Sequence, residues 1–438
     1  MKINKLKLEN FRCFKEYELT LSDRFTLLIG DNGSGKTAVL DAIALAISKF
    51  LEGFLVPTDL RSISDDDTHY EFFSMGQAPI KEKGVLQLLI KVEGIVNKIR
   101  LYWEFLYPKF LHSKRINLAF EPTKIGLIAF DLAESITSPE TLLPLLAHYD
   151  TSRLWKKTDN EEIETLSPGS RLSGYRNCLN TGLDLKQLFS WFKTQELAAL
   201  QKQERRHVLE AVREAIVSMI PGAQRAWWDL DWDEILIETT IQGKAQTIPF
   251  HLLSDGYRNM IGMVADIAYR MATLNPQLEA DVIKQTEGIV LIDEIDLHLH
   301  PKWQKQVVER LLNTFPKVQF VASSHSPFII QSLYHRDDVL LWDLDKAEPV
   351  AIDSKSIEDI AENQQGVEIP QQSQRFLDME KAAEAYYTAL KQIPPADEDE
   401  KQRLRQRLDE LLLPYSDDPA FQAFLKMERL AVEGSGKA

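Results

Sequence analysis

The stretch GDNGSGKT, Gly30 to Thr37, carries the residue types needed to hold phosphate. It fits G-x-x-x-x-G-K-[ST], with Gly30, Gly35, Lys36 and Thr37 in the fixed places. Glycines let the backbone curl so that N–H groups surround phosphate oxygens. Asn32, Gly33 and Ser34 complete the curl. The N-terminus of the helix that begins after Thr37 would add partial positive charge. Lys36 would reach the β- and γ-phosphates, and Thr37 would offer its hydroxyl to Mg²⁺. A further GSGK, Gly434 to Lys437, lacks the Thr and has no strand before it.

Three other segments could complete such a site. GIVLIDEID, Gly288 to Asp296, is an apolar run ending in carboxylates. Asp293 would hold Mg²⁺ through water, and Glu294 would orient or deprotonate the attacking water. QFVASSHS, Gln319 to Ser326, would deliver His325 to the same sheet edge as a sensor of the γ-phosphate or of that water. The plainer alternative is a loop histidine with a structural hydrogen bond. LLSDGYRNM, Leu252 to Met260, puts Ser254 and Gly256 at a helix start, which makes an anion site or, taken alone, an ordinary cap.

These residues need elements to position them. Residues 3 to 8, 17 to 21 and 25 to 29 read as strands, the last a short apolar run. AVLDAIALAISKFL, from Ala38, reads as a helix without internal Gly or Pro. Residues 57 to 84 are polar and suggest a mobile loop insertion. Residues 85 to 92 and 95 to 103 suggest two strands joined at Glu93-Gly94, and 142 to 149 a buried strand. A helical stretch over 183 to 220 stops at Pro221-Gly222. A helix over 256 to 273, a strand at 288 to 292, a helix over 302 to 313 and a strand at 318 to 322 imply a parallel sheet covered by helices. Beyond about residue 354, helices are expected near 373 to 392 and after Pro394-Pro395, the latter with Leu404, Leu408, Leu411 and Leu412 on one stripe.

Composition narrows the classes. The chain has 438 residues, 44% of them hydrophobic and 27% charged, as expected of a globular protein with a real core. Its formal net charge of -15 argues against a simple basic DNA-coating protein and leaves a local basic groove as the alternative. Its two cysteines, Cys13 and Cys178, exclude a disulfide framework and fit a cytoplasmic setting. No apolar run reaches the roughly 18 residues of a membrane helix, so no membrane partner is expected.

The order of phosphate loop, long middle, Ser-Asp-Gly helix start, Asp-Glu strand and His strand resembles the ABC ATPases of the SMC, RecF and OLD type, over roughly residues 1 to 340. KLKLENFRCFKEYELTL looks like their opening strands, and Arg12 falls where they place an arginine near the nucleotide. The resemblance implies an α/β ABC-ATPase head, a P-loop NTPase with a mixed N-terminal sheet, a parallel core sheet with helices on both faces, a helical insertion and a helical C-terminal tail. It implies ATP and Mg²⁺ as cofactors. It divides the chain into a first ATPase lobe (1–182), a helical insertion with connecting strands (183–250), the signature, acidic-strand and His region (251–353), and a C-terminal assembly or docking region (354–438). In this class the signature of one subunit caps the γ-phosphate held by another. Ser254 and Gly256 would then act in trans on ATP bound at Gly30 to Thr37. The sequence departs from the usual signature, since Asp255 replaces a Gly and Tyr257 follows; Asp255 is expected to face away from the phosphate. The family's glutamine has no assigned counterpart, although Tyr149 to Arg153 lies near its position. His298 and His300, in DLHLHP, suit interface packing better than metal ligation, because no third ligand is in view.

SDGYRNMIGMVADIAYRMATLNP, VLIDEIDLHLHPKWQ and SSHSPFIIQSL are most similar to the PtuA family, the ATPases of Septu-type antiphage systems, also found beside some retrons. That closer resemblance implies a homo-oligomer of at least two copies, a separate HNH nuclease partner (PtuB-like), nucleic acid met through the complex, and slow ATP hydrolysis. No built-in nuclease is expected. WDLD, Trp342 to Asp345, is a lone Asp-x-Asp, and VEGS, Val432 to Ser435, resembles a Toprim start with nothing after it. The alternative function is an autonomous RecF/SMC-like repair ATPase that clamps DNA. The helices beyond residue 354 would serve docking, or would pack on the chain's own core.

Overall fold

The computed structural model describes residues 1–54, 63, 65–75, 78–83, 87–107, 123–151, 170–179, 185–241, 243–352, 356–367, 374–391 and 397–412. Its strands are β1 (Lys2–Phe11), β2 (Phe14–Thr20), β3 (Phe25–Ile29), β4 (Tyr70–Met75), β5 (Ala78–Lys83), β6 (Leu88–Val96), β7 (Ile99–Tyr107), β8 (Leu145–Tyr149), β9 (Ala223–Asp229), β10 (Glu234–Ile241), β11 (Lys244–Pro249), β12 (Gly288–Ile292), β13 (Val318–Ser323), β14 (Val339–Asp343) and β15 (Glu348–Val350). Its helices are α1 (Lys36–Glu52), α2 (Lys124–Glu134), α3 (Leu185–Lys202), α4 (His207–Met219), α5 (Asp255–Leu274), α6 (Val282–Gln285), α7 (Pro301–Thr314), α8 (Pro327–Ser332), α9 (Ile357–Asn363), α10 (Gln374–Lys391) and α11 (Glu398–Leu412).

Four strands, β3, β8, β12 and β13, are buried along their whole length, which is why they read as largely apolar runs. They lie in a six-stranded sheet ordered β15-β14-β3-β13-β12-β8, with only β15 antiparallel to its neighbour. Register aligns their ends: Ile292 pairs with Tyr149 and Ala322, and Ser323 pairs with Leu28. The residues that follow these strands therefore emerge along one edge, where ligands bind in parallel α/β sheets. Helix α1 is buried from Ala38 to Leu51, because it lies between this sheet, at β12 and β13, and the N-terminal sheet, at β1, β6 and β7. Burial on every side explains its all-round apolar sequence.

The N-terminal sheet is ordered β2-β1-β6-β7 and is antiparallel in each pairing, rather than mixed. Its hairpin turn is not at Glu93-Gly94 but at Asn97-Lys98, both with positive φ (47° and 64°), the pairing that a two-residue hairpin turn favours. Gly94 lies inside β6, where a Cβ would collide with the Lys2 carbonyl of β1. The glycine marks a close strand approach, not a turn. The expected loop insertion at 57 to 84 contains a strand pair, β4 with β5. The helical stretch at 183 to 220 is broken at Gln203, whose φ is 53°, into α3 and α4. A three-stranded sheet, β11-β10-β9, follows. Residues 432 to 437, with VEGS and the C-terminal GSGK, lie outside the described residues.

By contacts the chain divides into residues 1–357 and 358–438. In the latter unit Met379, Ala382, Ala383 and Tyr386 of α10 form a core with Leu408 of α11, against which Leu404, Leu411 and Leu412 pack, as their stripe predicts. Among the described residues no helix is long and apolar enough to cross a membrane.

Candidate active site

The phosphate loop bridges the end of β3 and the start of α1. Gly35, at φ 99°, turns the chain into the helix. The turn between β1 and β2 leaves no room beside it, since a Cβ on Gly35 would strike Cys13 and the Phe14 ring. Lys36 folds back over the loop. Its Nζ donates to the carbonyls of Gly30 (2.9 Å) and Asp31 (2.8 Å). Burial pulls the Lys36 ammonium below the usual lysine pKa, while Asp345, Asp293, Asp31 and Glu294 pull it back up.

Thr37 reaches the next wall of the site. Its hydroxyl donates to Asp293 Oδ2 at 2.7 Å. The other Asp293 oxygen, Oδ1, accepts from Ser323 Oγ at 2.5 Å. Ser323 Oγ in turn accepts the backbone N–H of Glu294 at 2.8 Å. Glu294 has φ 47°, a left-handed backbone that costs energy in a residue with a side chain and is typical of functional sites. Next along, Ser324 Oγ donates to Asp296 Oδ1 at 2.5 Å, and His325 follows, exposed, at the same edge. Of the sequence-derived set, Thr37, Asp293 and the backbone of Glu294 are thus gathered into one hydrogen-bonded network, with Ser323 as a member that the sequence alone does not single out, while Lys36 bonds to the phosphate loop beside it. A hydroxyl two residues before the histidine, on a buried strand, is the available signal.

Arg12 sits in the turn that covers the loop, at φ 48°. Its guanidinium reaches Asp41 of α1 (2.7 Å) and Asp67 (2.9 Å), so it stands over the first turns of the phosphate-loop helix. Asp345, from the WDLD segment, is another arrival that the sequence does not foretell. Its Oδ2 accepts the Asp31 N–H at 2.6 Å.

Ser254 and Gly256 form a separate group. Ser254 is the N-cap residue of the 20-residue helix α5, yet its side chain makes no cap bond and is exposed. The ordinary cap is therefore absent. Asp255 is taken up by an ion pair with Arg258. Gly256 is required by contact: a Cβ there would collide with the His298 carbonyl oxygen. A cavity of about 530 Å³ opens beside Ser254, lined also by Tyr257, His298, His300, Lys302 and Trp303, and its lining includes no residue from 30 to 37. His300 caps α7, its Nδ1 accepting the Lys302 N–H at 3.2 Å. No cluster of three or more potential metal ligands of the His, Cys, Asp or Glu type occurs among the described residues.

Helix α5 is tied to the sheet by a buried network. Tyr149 OH donates to Asp266 Oδ2 at 2.7 Å, and Arg270 Nε donates to the same oxygen at 2.8 Å. Arg270 also donates to the carbonyls of Gly174 (2.9 Å) and Arg176 (2.8 Å). Burial opposes its charge, but Asp266, Tyr149 and Cys178 together more than offset that and raise its pKa. The Tyr149 carbonyl accepts the Asp293 N–H at 2.8 Å, which links this network to the acidic strand end. Of the YDTSR segment only Tyr149, Asp150 and Thr151 are described; Ser152 and Arg153 lie outside the described residues.

Comparison with known proteins finds ATPase families and ATPase relatives. A family model described as an AAA domain matches residues 5–222, and another, described as an AAA domain, putative AbiEii toxin, Type IV TA system, matches residues 146–331. The chain is similar to the retron Vc95 probable ATPase of Vibrio cholerae, 25% identical over 79% of this chain and 74% of that protein. It is similar to the retron Ec83 probable ATPase of Escherichia coli, 25% identical over 78% and 71%. It is also similar to the Septu protein PtuA of Bacillus mycoides, 27% identical over 79% of this chain and 41% of that longer protein.

Proposed function

We propose that this chain, an ABC-type ATPase similar to the retron and Septu ATPases, hydrolyses ATP slowly at sites shared between two copies, and that nucleotide occupancy sets an assembly which scaffolds and regulates a separate HNH nuclease in antiphage defence. The observation that carries the shared site is the exposed start of α5. Ser254 presents a hydroxyl that caps nothing, beside the N–H groups of a helix start, on a cavity that the chain's own phosphate loop does not line. A γ-phosphate held by another copy fits that chemistry.

In this reading Lys36 leaves its two carbonyls to donate to the β- and γ-phosphates. Glu294 takes the proton of the attacking water, and His325 hydrogen-bonds the γ-phosphate. The hydroxyl of Thr37 and the carboxylate of Asp293, already in contact, are the hard oxygen donors that suit Mg²⁺ with phosphate and water completing its shell. Mg²⁺ held there would neutralise phosphate charge. Partner and defence role rest on the likeness to PtuA and the retron ATPases. The net charge of -15 weighs against direct clamping of DNA.

The test pairs two defective chains. Lys36→Ala should weaken ATP binding about a hundredfold, since it removes charged donors from the phosphates. Ser254→Arg should bind ATP normally and not turn it over. Mixing the two should restore turnover at one site per pair, measured as phosphate release together with mass by light scattering. Normal turnover by Ser254→Arg alone, in a monomer, removes the shared site.

A further inference from the structure

We propose that Asp345 is a positioning residue of the nucleotide site: its carboxylate pins the first peptide of the phosphate loop and thereby sets the affinity for ATP. The inference rests on the reading of Gly30 to Thr37 as the ATP cradle. WDLD reads as a stray acidic pair in the sequence, yet its latter Asp reaches across the sheet edge to the Asp31 N–H, at 2.6 Å. The same oxygen would lie 2.8 Å from a Cβ placed on Gly30, so glycine at that position leaves the carboxylate its seat.

The turn that delivers this carboxylate is built, not incidental. Asp343, itself buried, accepts the N–H groups of Asp345 (3.0 Å) and Lys346 (3.3 Å) and pairs with the Lys346 ammonium (3.1 Å). Leu344 donates its N–H to the carbonyl of Ile29, the residue before the phosphate loop, at 3.0 Å. The Leu344 carbonyl accepts from Tyr17 OH at 3.2 Å, and that hydroxyl accepts from Trp342 Nε1 at 3.0 Å. The Tyr17 ring packs, tilted, against Phe14 with centroids 4.6 Å apart, and the Phe14 ring abuts Gly35. Both ends of the loop are therefore braced from β2, directly at Gly35 and through Asp345 at Asp31. Groups fixed in this way bind without first having to be ordered, which is worth affinity.

Titration calorimetry of the full chain with ATP and Mg²⁺ tests this. Asp345→Ala should raise the Kd, and the KM with it, about tenfold, while kcat falls far less. Asp345→Asn keeps an oxygen that can accept the Asp31 N–H and should recover most of the affinity. A Kd for Asp345→Ala equal to that of the unaltered chain overturns the inference. So does tighter binding by Asp345→Asn, which would make the carboxylate a repelling charge. Should Asp345→Ala fail to fold, Tyr17→Phe decides: it loosens the turn but keeps the carboxylate, so a smaller rise in Kd supports the role and an unchanged Kd overturns it. If the unaltered chain binds no ATP, the cradle reading itself falls, and that result is separate from any difference among variants.

Discussion

The end of the central sheet and the start of α5 use similar residue types in opposite ways. At the sheet edge, Lys36 is bonded to the loop carbonyls, and Thr37 and Ser323 are both bonded to Asp293. At the helix start, the Ser254 hydroxyl is exposed and caps nothing. A polar group bonded within the protein must give up those partners when a ligand arrives, whereas an exposed one gives up only water. On the proposed function, the sheet edge is a closed half that ATP must open. The helix start is an open half that waits for another copy.

The sharpest way to break this contrast is to remove chemistry from the closed side alone. Glu294→Gln keeps shape and hydrogen-bonding atoms but cannot take a proton, so kcat should fall about 100- to 10 000-fold with ATP affinity kept. Single-turnover phosphate release on protein preloaded with ATP measures it. Turnover within a few-fold of the unaltered chain would remove Glu294 as the base and leave the two regions chemically alike.

Another break targets the tie between the regions. Arg270 is buried with Asp266, and their network joins α5 to the carbonyl of Tyr149 and so to the N–H of Asp293. Arg270→Ala leaves Asp266 charged and unpaired in the core, which should cost about 3–5 kcal/mol of stability. Urea unfolding followed by far-UV circular dichroism reads this. A loss below about 1 kcal/mol would mean that water reaches the site and that the tie is slack.

The two regions also differ in how openly the sequence displays them. The phosphate loop and the acidic strand are legible because their residues are contiguous and their burial follows period and length. The partners that complete them are not. Ser323 and Asp345 act through contacts spanning 30 and 314 residues of sequence, and apart from the place of Ser323 two residues before His325 nothing local distinguishes them from other serines and aspartates. The misplaced hairpin turn has the same cause. Gly94 mimics a bend although it answers to a neighbouring strand, and Asn97-Lys98 carries the left-handed turn without a glycine. The Tyr149–Asp266–Arg270 network belongs with these: its Asp and Arg have helical spacing, but the tyrosine arrives from another strand.

The smallest change probes where the regions touch. Gly256 lies against the His298 carbonyl, and Asn259 Nδ2 donates to the Leu297 carbonyl at 3.2 Å. Leu297 in turn donates its N–H to the carbonyl of Glu294 at 2.9 Å. A methyl group at position 256 meets backbone, which cannot swing aside as a side chain could. Either the start of α5 or the loop of Glu294 to His300 must shift, and His298 already sits at φ 61°. Gly256→Ala should therefore cost about 1–3 kcal/mol of stability by overpacking. Turnover should slow about tenfold through displaced Glu294 or Ser254, while ATP affinity stays near normal, because neither the phosphate loop nor Asp345 touches this contact. Calorimetric Kd and steady-state kcat, measured on one preparation, separate the two. Loss of affinity in step with turnover would mean that the sheet edge and the helix start respond as a single unit, and that the division between a closed half and an open half is drawn in the wrong place.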